Sequence, residues 1–170
     1  NSKTIKPIIK SLSILYNVKK PTKKVFIYLL FSSEEKTGGG ANIDDKRITI
    51  EISRCSLDKK YHPLSIIWHE TIHLVFEKPY FYPLIYKFFP DLRKKNFRVN
   101  EIAAYSLFPR GILSQKYLHT GLGDSIYFKN LNKQPDKIFS LMENYILNKK
   151  KLDKKYIEKI ISIVKKRPTS

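Results

Sequence analysis

His69-Glu70-Thr71-Ile72-His73 stands inside an apolar run, with Leu64-Ser65-Ile66-Ile67-Trp68 before it and Leu74-Val75-Phe76-Glu77 after it, directly behind Pro63. A proline at the first helical position, followed by apolar residues at helical spacing, predicts a helix over residues 64–77. Residues four apart on a helix stand one above the other, so both imidazoles can reach a single metal ion. Glu70 points about 100° away from His69, too far round to be a third ligand but close enough to address a water beside the ion. The flanks are apolar nearly all round, which marks the helix as buried. A buried His-Glu-His set is costly without a metal partner.

A catalytic zinc usually takes three protein ligands and keeps one position open for water. Beyond His69 and His73, the candidates are His62, His119, the single cysteine Cys55, and an acidic residue on a later helix. Asn100-Glu101-Ile102-Ala103-Ala104 supplies that last option. Glu101 is the only acidic residue in a helical run otherwise apolar or small, and Ala104 on the same face lets the helix approach closely. Between His73 and Glu101 lie 27 residues, enough for an outward excursion and a return. Glu101 is therefore the favoured third ligand, with His119 the alternative. A structural site closed by four ligands would leave Glu70 without a task.

Outward from this helix, the chain predicts an α+β domain. Residues 4–18 carry Ile5, Ile8, Ile9, Leu12, Leu15 and Tyr16 at helical spacing, with Pro7 placed in the first turn. Residues 25–31 form an uninterrupted apolar run and read as a buried strand. Gly38-Gly39-Gly40 marks a turn, and Arg47–Ser53 alternates Ile48, Ile50 and Ile52 with Thr49, Glu51 and Ser53, as a half-exposed edge strand does. The aromatic stretch from Tyr80 to Phe89, broken by Pro79, Pro83 and Pro90, predicts short kinked helices capping the core. Further helices are expected over 98–108, 136–148 and 153–166. At 170 residues the whole chain suits one domain, with a core over about 24–119 and a helical extension over about 134–167.

The charge invites a different function. With 33 Lys+Arg against 15 Asp+Glu, the net charge is +18, heaviest in the lysines between 149 and 167. Base reading and bidentate phosphate contacts favour arginine, so a lysine-dominated surface points to solvation rather than to specific nucleic-acid recognition. No apolar run approaches the roughly 20 residues of a membrane helix, and one cysteine excludes an internal disulfide framework. The chain starts at Asn1 rather than Met, as a chain trimmed of a leader or anchor does, and no signal peptide is left to read.

His69-Glu70-Thr71-Ile72-His73 followed by Asn100-Glu101-Ile102-Ala103-Ala104 resembles the gluzincin branch of the zincin metallopeptidases, including compact single-domain minigluzincins. The resemblance covers about residues 25–108. It implies a zincin-like domain with a small mixed sheet, an active-site helix, a glutamate helix and extra C-terminal helices. It also implies one Zn2+ per chain, held by His69, His73 and Glu101, with Glu70 as general base for peptide hydrolysis. In that family an edge strand pairs with extended substrate, and Arg47–Ser53 occupies the corresponding place. Tyr105 stands where some gluzincins carry an acidic residue that orients a ligand histidine. Tyr105 is also the first candidate to stabilise the oxyanion, ahead of Tyr117, His119 and Arg110. The amine anchor of the gluzincin aminopeptidases is missing, because Gly38-Gly39-Gly40-Ala41-Asn42 has no carboxylate, which favours an endopeptidase. The competing class is a catalytically silent or nucleic-acid-associated basic protein with a retained zinc site.

Overall fold

A computed structural model describes residues 2–19, 24–31, 38–42, 47–52, 63–94, 99–109, 111–119 and 135–165. Helix α1 spans Ser2–Leu15, and strands β1, β2 and β3 span Phe26–Phe31, Gly38–Asn42 and Arg47–Ile52. Helix α2 (Pro63–Thr71) runs on into a π-helical stretch, Ile72–Phe81, and then into α3 (Tyr82–Phe88) and the short α4 (Asp91–Lys94). Helices α5 (Val99–Leu107), α6 (Ile112–Leu118), α7 (Pro135–Leu147) and α8 (Lys154–Lys165) complete the described chain. The class is α+β, mostly helical, with one small mixed sheet. No helix among the described residues is long and apolar enough to cross a membrane.

Helix packing follows the apolar spacing. Ile8, Leu12, Leu15 and Tyr16 of the α1 segment are buried on one face, and Ile138, Met142 and Tyr145 of α7 and Tyr156, Ile157 and Ile160 of α8 do the same. Helix α1 begins two residues earlier than its spacing suggested, so Pro7 lies past the first turn and the helix runs through it. Where one continuous α-helix was expected over 64–77, the ladder widens to π spacing after Thr71. Pro79 lies in that stretch; it has no N–H to donate, and its ring would meet the Val75 carbonyl in an α-helix. The wider spacing accommodates it. Such π segments are rare and concentrate at functional sites, and His73 is the second residue of this one.

The sheet differs from expectation in three respects. Its order is β1-β3-β2, with β1 parallel and β2 antiparallel to β3. The Arg47–Ser53 strand is therefore central, at least over Arg47–Ile52, and has no free edge for a substrate; Ser53 lies outside the described residues. Its alternation holds, with Ile48 and Ile50 fully buried, because one face of the strand rests on the helices. Gly38-Gly39-Gly40 forms the start of edge strand β2 rather than a turn. The 25–31 segment is a strand from Phe26 but is not buried: every residue of β1 is exposed. Continuous apolar character suits burial on both faces, yet α2 packs beneath β2 and β3 and leaves β1 overhanging at the other edge.

Two contacts fix the entry to α6 against the helices of the site. The Ser65 and Ser114 hydroxyls, both buried, hydrogen-bond at 2.6 Å and tie α6 to α2. At Gly111 the chain turns so closely against α5 that a Cβ would lie 2.4 Å from the Ser106 carbonyl carbon and oxygen. Both atoms are backbone and cannot swing aside. Gly111→Ala should therefore destabilise the fold by about 1–3 kcal/mol in denaturant unfolding, the usual cost of overpacking. Unchanged stability would mean that α5 and α6 are not held this closely.

Candidate metal centre

His69 and His73 arrive from adjoining turns where α2 passes into the π stretch, and Glu101 comes from the first turn of α5. His69 and His73 are buried, while Glu101 keeps about a fifth of its side chain exposed. The two imidazole Nε2 atoms are 3.1 Å apart. Glu101 Oε2 lies 3.6 Å from the first and 3.5 Å from the second. Among the described residues, His69, His73 and Glu101 form a group able to hold a metal ion. A point equidistant from these three donor atoms is about 2.0 Å from each at its nearest, shorter than the roughly 2.3–2.6 Å that calcium requires.

Each histidine is held by its other nitrogen. His69 Nδ1 donates to the Phe108 carbonyl at 2.7 Å, because a carbonyl oxygen can only accept. His73 Nδ1 donates to Glu77 Oε2 at 2.8 Å, and Glu77 is fully buried. With both Nδ1 atoms acting as donors, both Nε2 lone pairs are directed to the same point as a carboxylate oxygen. Only a cation or a proton reconciles them. Without a metal the proton goes to His73. Burial alone would lower its pKa, but Glu77, and then Glu101, outweigh burial and raise it from 6.5 to about 11. Burial likewise pushes the Glu101 carboxyl up, but hydrogen bonds from His69 and His73 more than offset it and hold the group well below the usual carboxylate range. A metal would have to displace the His73 proton, so its uptake at neutral pH would release a proton.

Glu70 is buried beside these side chains but outside the group. Burial raises its pKa, and the two imidazoles and a hydrogen bond from the Ala41 backbone N–H pull it partly back. That bond shows which edge of the sheet borders the site: it is β2, not the Arg47–Ser53 strand. Tyr105, one helical turn after Glu101, lays its ring against that of His69, with centroids 4.4 Å apart. His119 is exposed at the end of α6 and is not in the group, and Tyr117 is half-buried on the same helix. His62, Cys55 and Arg110 lie outside the described residues.

The chain matches no family model, no curated protein and no solved structure. Geometry alone has to carry the site. It contains one residue that the spacing argument passed over. Glu77 performs for His73 the orienting role that a residue at position 105 would have been expected to fill. The signal was present: Glu77 follows His73 by four positions, as His73 follows His69, and a fully buried carboxylate requires partners. Asn100 supports it. Its Nδ2 donates to the Tyr82 hydroxyl at 3.2 Å and reaches Glu77 Oε2 at 3.5 Å. Burial, and then the Glu77 carboxylate, push the Tyr82 phenol well above its ordinary pKa. Partners that orient a ligand in this way are typically worth about 10–100-fold in metal affinity. Glu77→Gln, which keeps the shape and loses the charge, should weaken metal binding by that factor in competition with a chelator. Unaltered affinity would reduce Glu77 to a packing residue.

Proposed function

We propose that the protein is a zinc-dependent peptidase of the zincin type, cleaving peptide bonds within extended substrates. The observation that carries this reading is the pairing of a His-His-Glu donor group with a buried carboxylate, Glu70, that sits beside the group without belonging to it. Two imidazoles and one carboxylate, with donor separations of 3.1–3.6 Å, suit zinc, whose bonds to such ligands are about 2.0–2.2 Å. When bound, the ion would supply Lewis acidity, polarising the substrate carbonyl and bringing the pKa of a water towards about 7.

The chain's own residues divide the remaining work. Glu70 accepts a proton at its carboxylate as the water oxygen bonds to the carbonyl carbon. It then delivers that proton to the amine nitrogen as the carbon–nitrogen bond breaks. Burial favours this role, because a carboxylate with a raised pKa is a better proton acceptor near neutral pH. The Ala41 N–H aims the carboxylate and ties it to β2. Among the described residues β2 is the outer strand of the sheet on the side of Glu70, where an extended peptide could add as a further strand. Tyr105 braces His69 through its ring, and its hydroxyl is the group we assign to donate a hydrogen bond to the developing oxyanion.

Glu70→Gln separates chemistry from metal binding. The variant keeps size and shape, so it should hold zinc with nearly the parent affinity. Its cleavage of mixed peptides with blocked amino termini should fall by about two to four orders of magnitude, the usual share of general acid–base catalysis. Cleavage at the parent rate would overturn the role assigned to Glu70.

A further inference from the structure

Helices α1 and α7 end in the same way. The Val18 N–H bonds back to the Ser13 carbonyl at 2.9 Å and the Asn17 N–H to that of Ile14 at 3.2 Å. At the end of α7, the Lys150 N–H bonds to the Tyr145 carbonyl at 2.9 Å and the Lys149 N–H to that of Ile146 at 3.1 Å. Each end turns through a left-handed residue, Asn17 at φ 52° and Lys149 at φ 51°. The Leu152 N–H donates to the Leu15 carbonyl at 2.8 Å and both leucines are buried, so the two ends are fixed against each other. An open cleft of about 590 Å³ lies at this junction, lined by four lysines, Lys10, Lys19, Lys149 and Lys151, together with Ser13 and Asn17. No acidic side chain lines the cleft, and none of the four lysines pairs with a carboxylate among the described residues.

Complementing two helix C-termini accounts for only part of this charge. Each helix end carries about half a negative charge, so the four lysines leave a surplus of roughly three positive charges. Lys149 adds a second observation. Glycine adopts its left-handed conformation freely and a side chain disfavours it, so a lysine there gives up stability and needs a reason. We propose that the cleft is a binding site for a small soluble molecule bearing a diphosphate group. Ammonium groups are compact point charges that suit phosphate oxygens, and two linked phosphates carry on the order of three negative charges, matching the surplus. The Ser13 hydroxyl and the Asn17 amide add uncharged donors. Lys151 Nζ lies 5.8 Å from the centre of the Tyr80 ring, a contact that steadies the ammonium without neutralising it. The volume falls within the roughly 300–1,000 Å³ of small-molecule sites. The apolar side chains of the lining, Ile14 and Val18, are half-buried and offer nothing to enter a lipid layer, so the ligand is soluble. This site goes beyond the metal centre and does not depend on it.

Titrating inorganic pyrophosphate into the full metal-free chain at low salt, followed by amide NMR, tests this; leaving out metal keeps pyrophosphate from acting as a chelator at the metal centre. The amides of Asn17, Val18, Lys149 and Lys150 should shift saturably, with a dissociation constant of about 100 μM or tighter. Lys10→Ala with Lys19→Ala should weaken binding at least about tenfold, the usual loss for a charge-assisted hydrogen bond. Lys149→Gly should weaken it about tenfold and yet raise Tm by about 2–4 °C, because glycine relieves the left-handed conformation. That pairing of opposite effects separates a lost ligand contact from a damaged fold. Lys24→Ala with Lys116→Ala removes the same net charge at exposed positions outside the cleft, and should change the affinity less than about twofold. Orthophosphate should bind at least about tenfold more weakly than pyrophosphate. Absence of a saturable shift at the four amides would overturn the proposal, as would an equal loss of affinity in the Lys24 and Lys116 pair. Equal affinity for orthophosphate would overturn the diphosphate assignment. Vesicles carrying a lipid with a doubly phosphorylated headgroup test the other source of the same chemistry: binding to them through these lysines, with none to free pyrophosphate, would overturn the soluble ligand.

Discussion

Two imidazole nitrogens 3.1 Å apart, each with its lone pair directed at the other and at a carboxylate oxygen, are the constraint around which this protein is arranged. Left to themselves they repel, and burial removes the water that would otherwise screen them. Their tautomers are not free to relieve the conflict, because Phe108 and Glu77 each hold a histidine by its Nδ1. What remains is to place a positive charge between them. A proton serves in the metal-free protein, and the donor spacing allows a metal to serve in its stead.

Much of the surrounding architecture can be read as support for that arrangement. The π segment carries His73 and Glu77 together. Helix α5 delivers Glu101 to the two histidines and Asn100 to the Glu77 side, from consecutive residues pointing different ways. Gly111 lets the chain after α5 fold back closely, in the stretch that begins with the Phe108 carbonyl held by His69. β2 contributes a backbone N–H rather than a side chain, which suits a strand that begins Gly38-Gly39-Gly40.

How legible this was from the sequence depended on the kind of interaction. His69, Glu70, His73 and Glu101 were visible because helical spacing is a local rule, and it survives a partial change from α to π spacing. The C-terminal helices were also visible, within a residue or two, from their strongly one-sided apolar patterns. Sheet order was not, because it depends on which strands lie above the helical layer, a long-range property that alternation does not encode. Arg47–Ser53 has the polar–apolar pattern of an edge strand, and its described part, Arg47–Ile52, lies in the middle, while the uniformly apolar β1 lies at an edge among the described strands. A buried strand was the natural expectation from its composition, yet every residue of β1 is exposed. Ala41 was unreadable for a simpler reason: its part is played by a backbone N–H, which every residue but proline carries.

The ligand set is open to a direct measurement. X-ray absorption on protein loaded with one equivalent of zinc reports the atoms bonded to the metal and their distances. The account predicts one zinc per chain, two imidazole nitrogens and carboxylate oxygen at about 2.0–2.2 Å, with an imidazole signal that disappears, along with stoichiometric binding, in His69→Ala and His73→Ala. A zinc that binds without imidazole scattering, or that binds equally well after both substitutions, would contradict it.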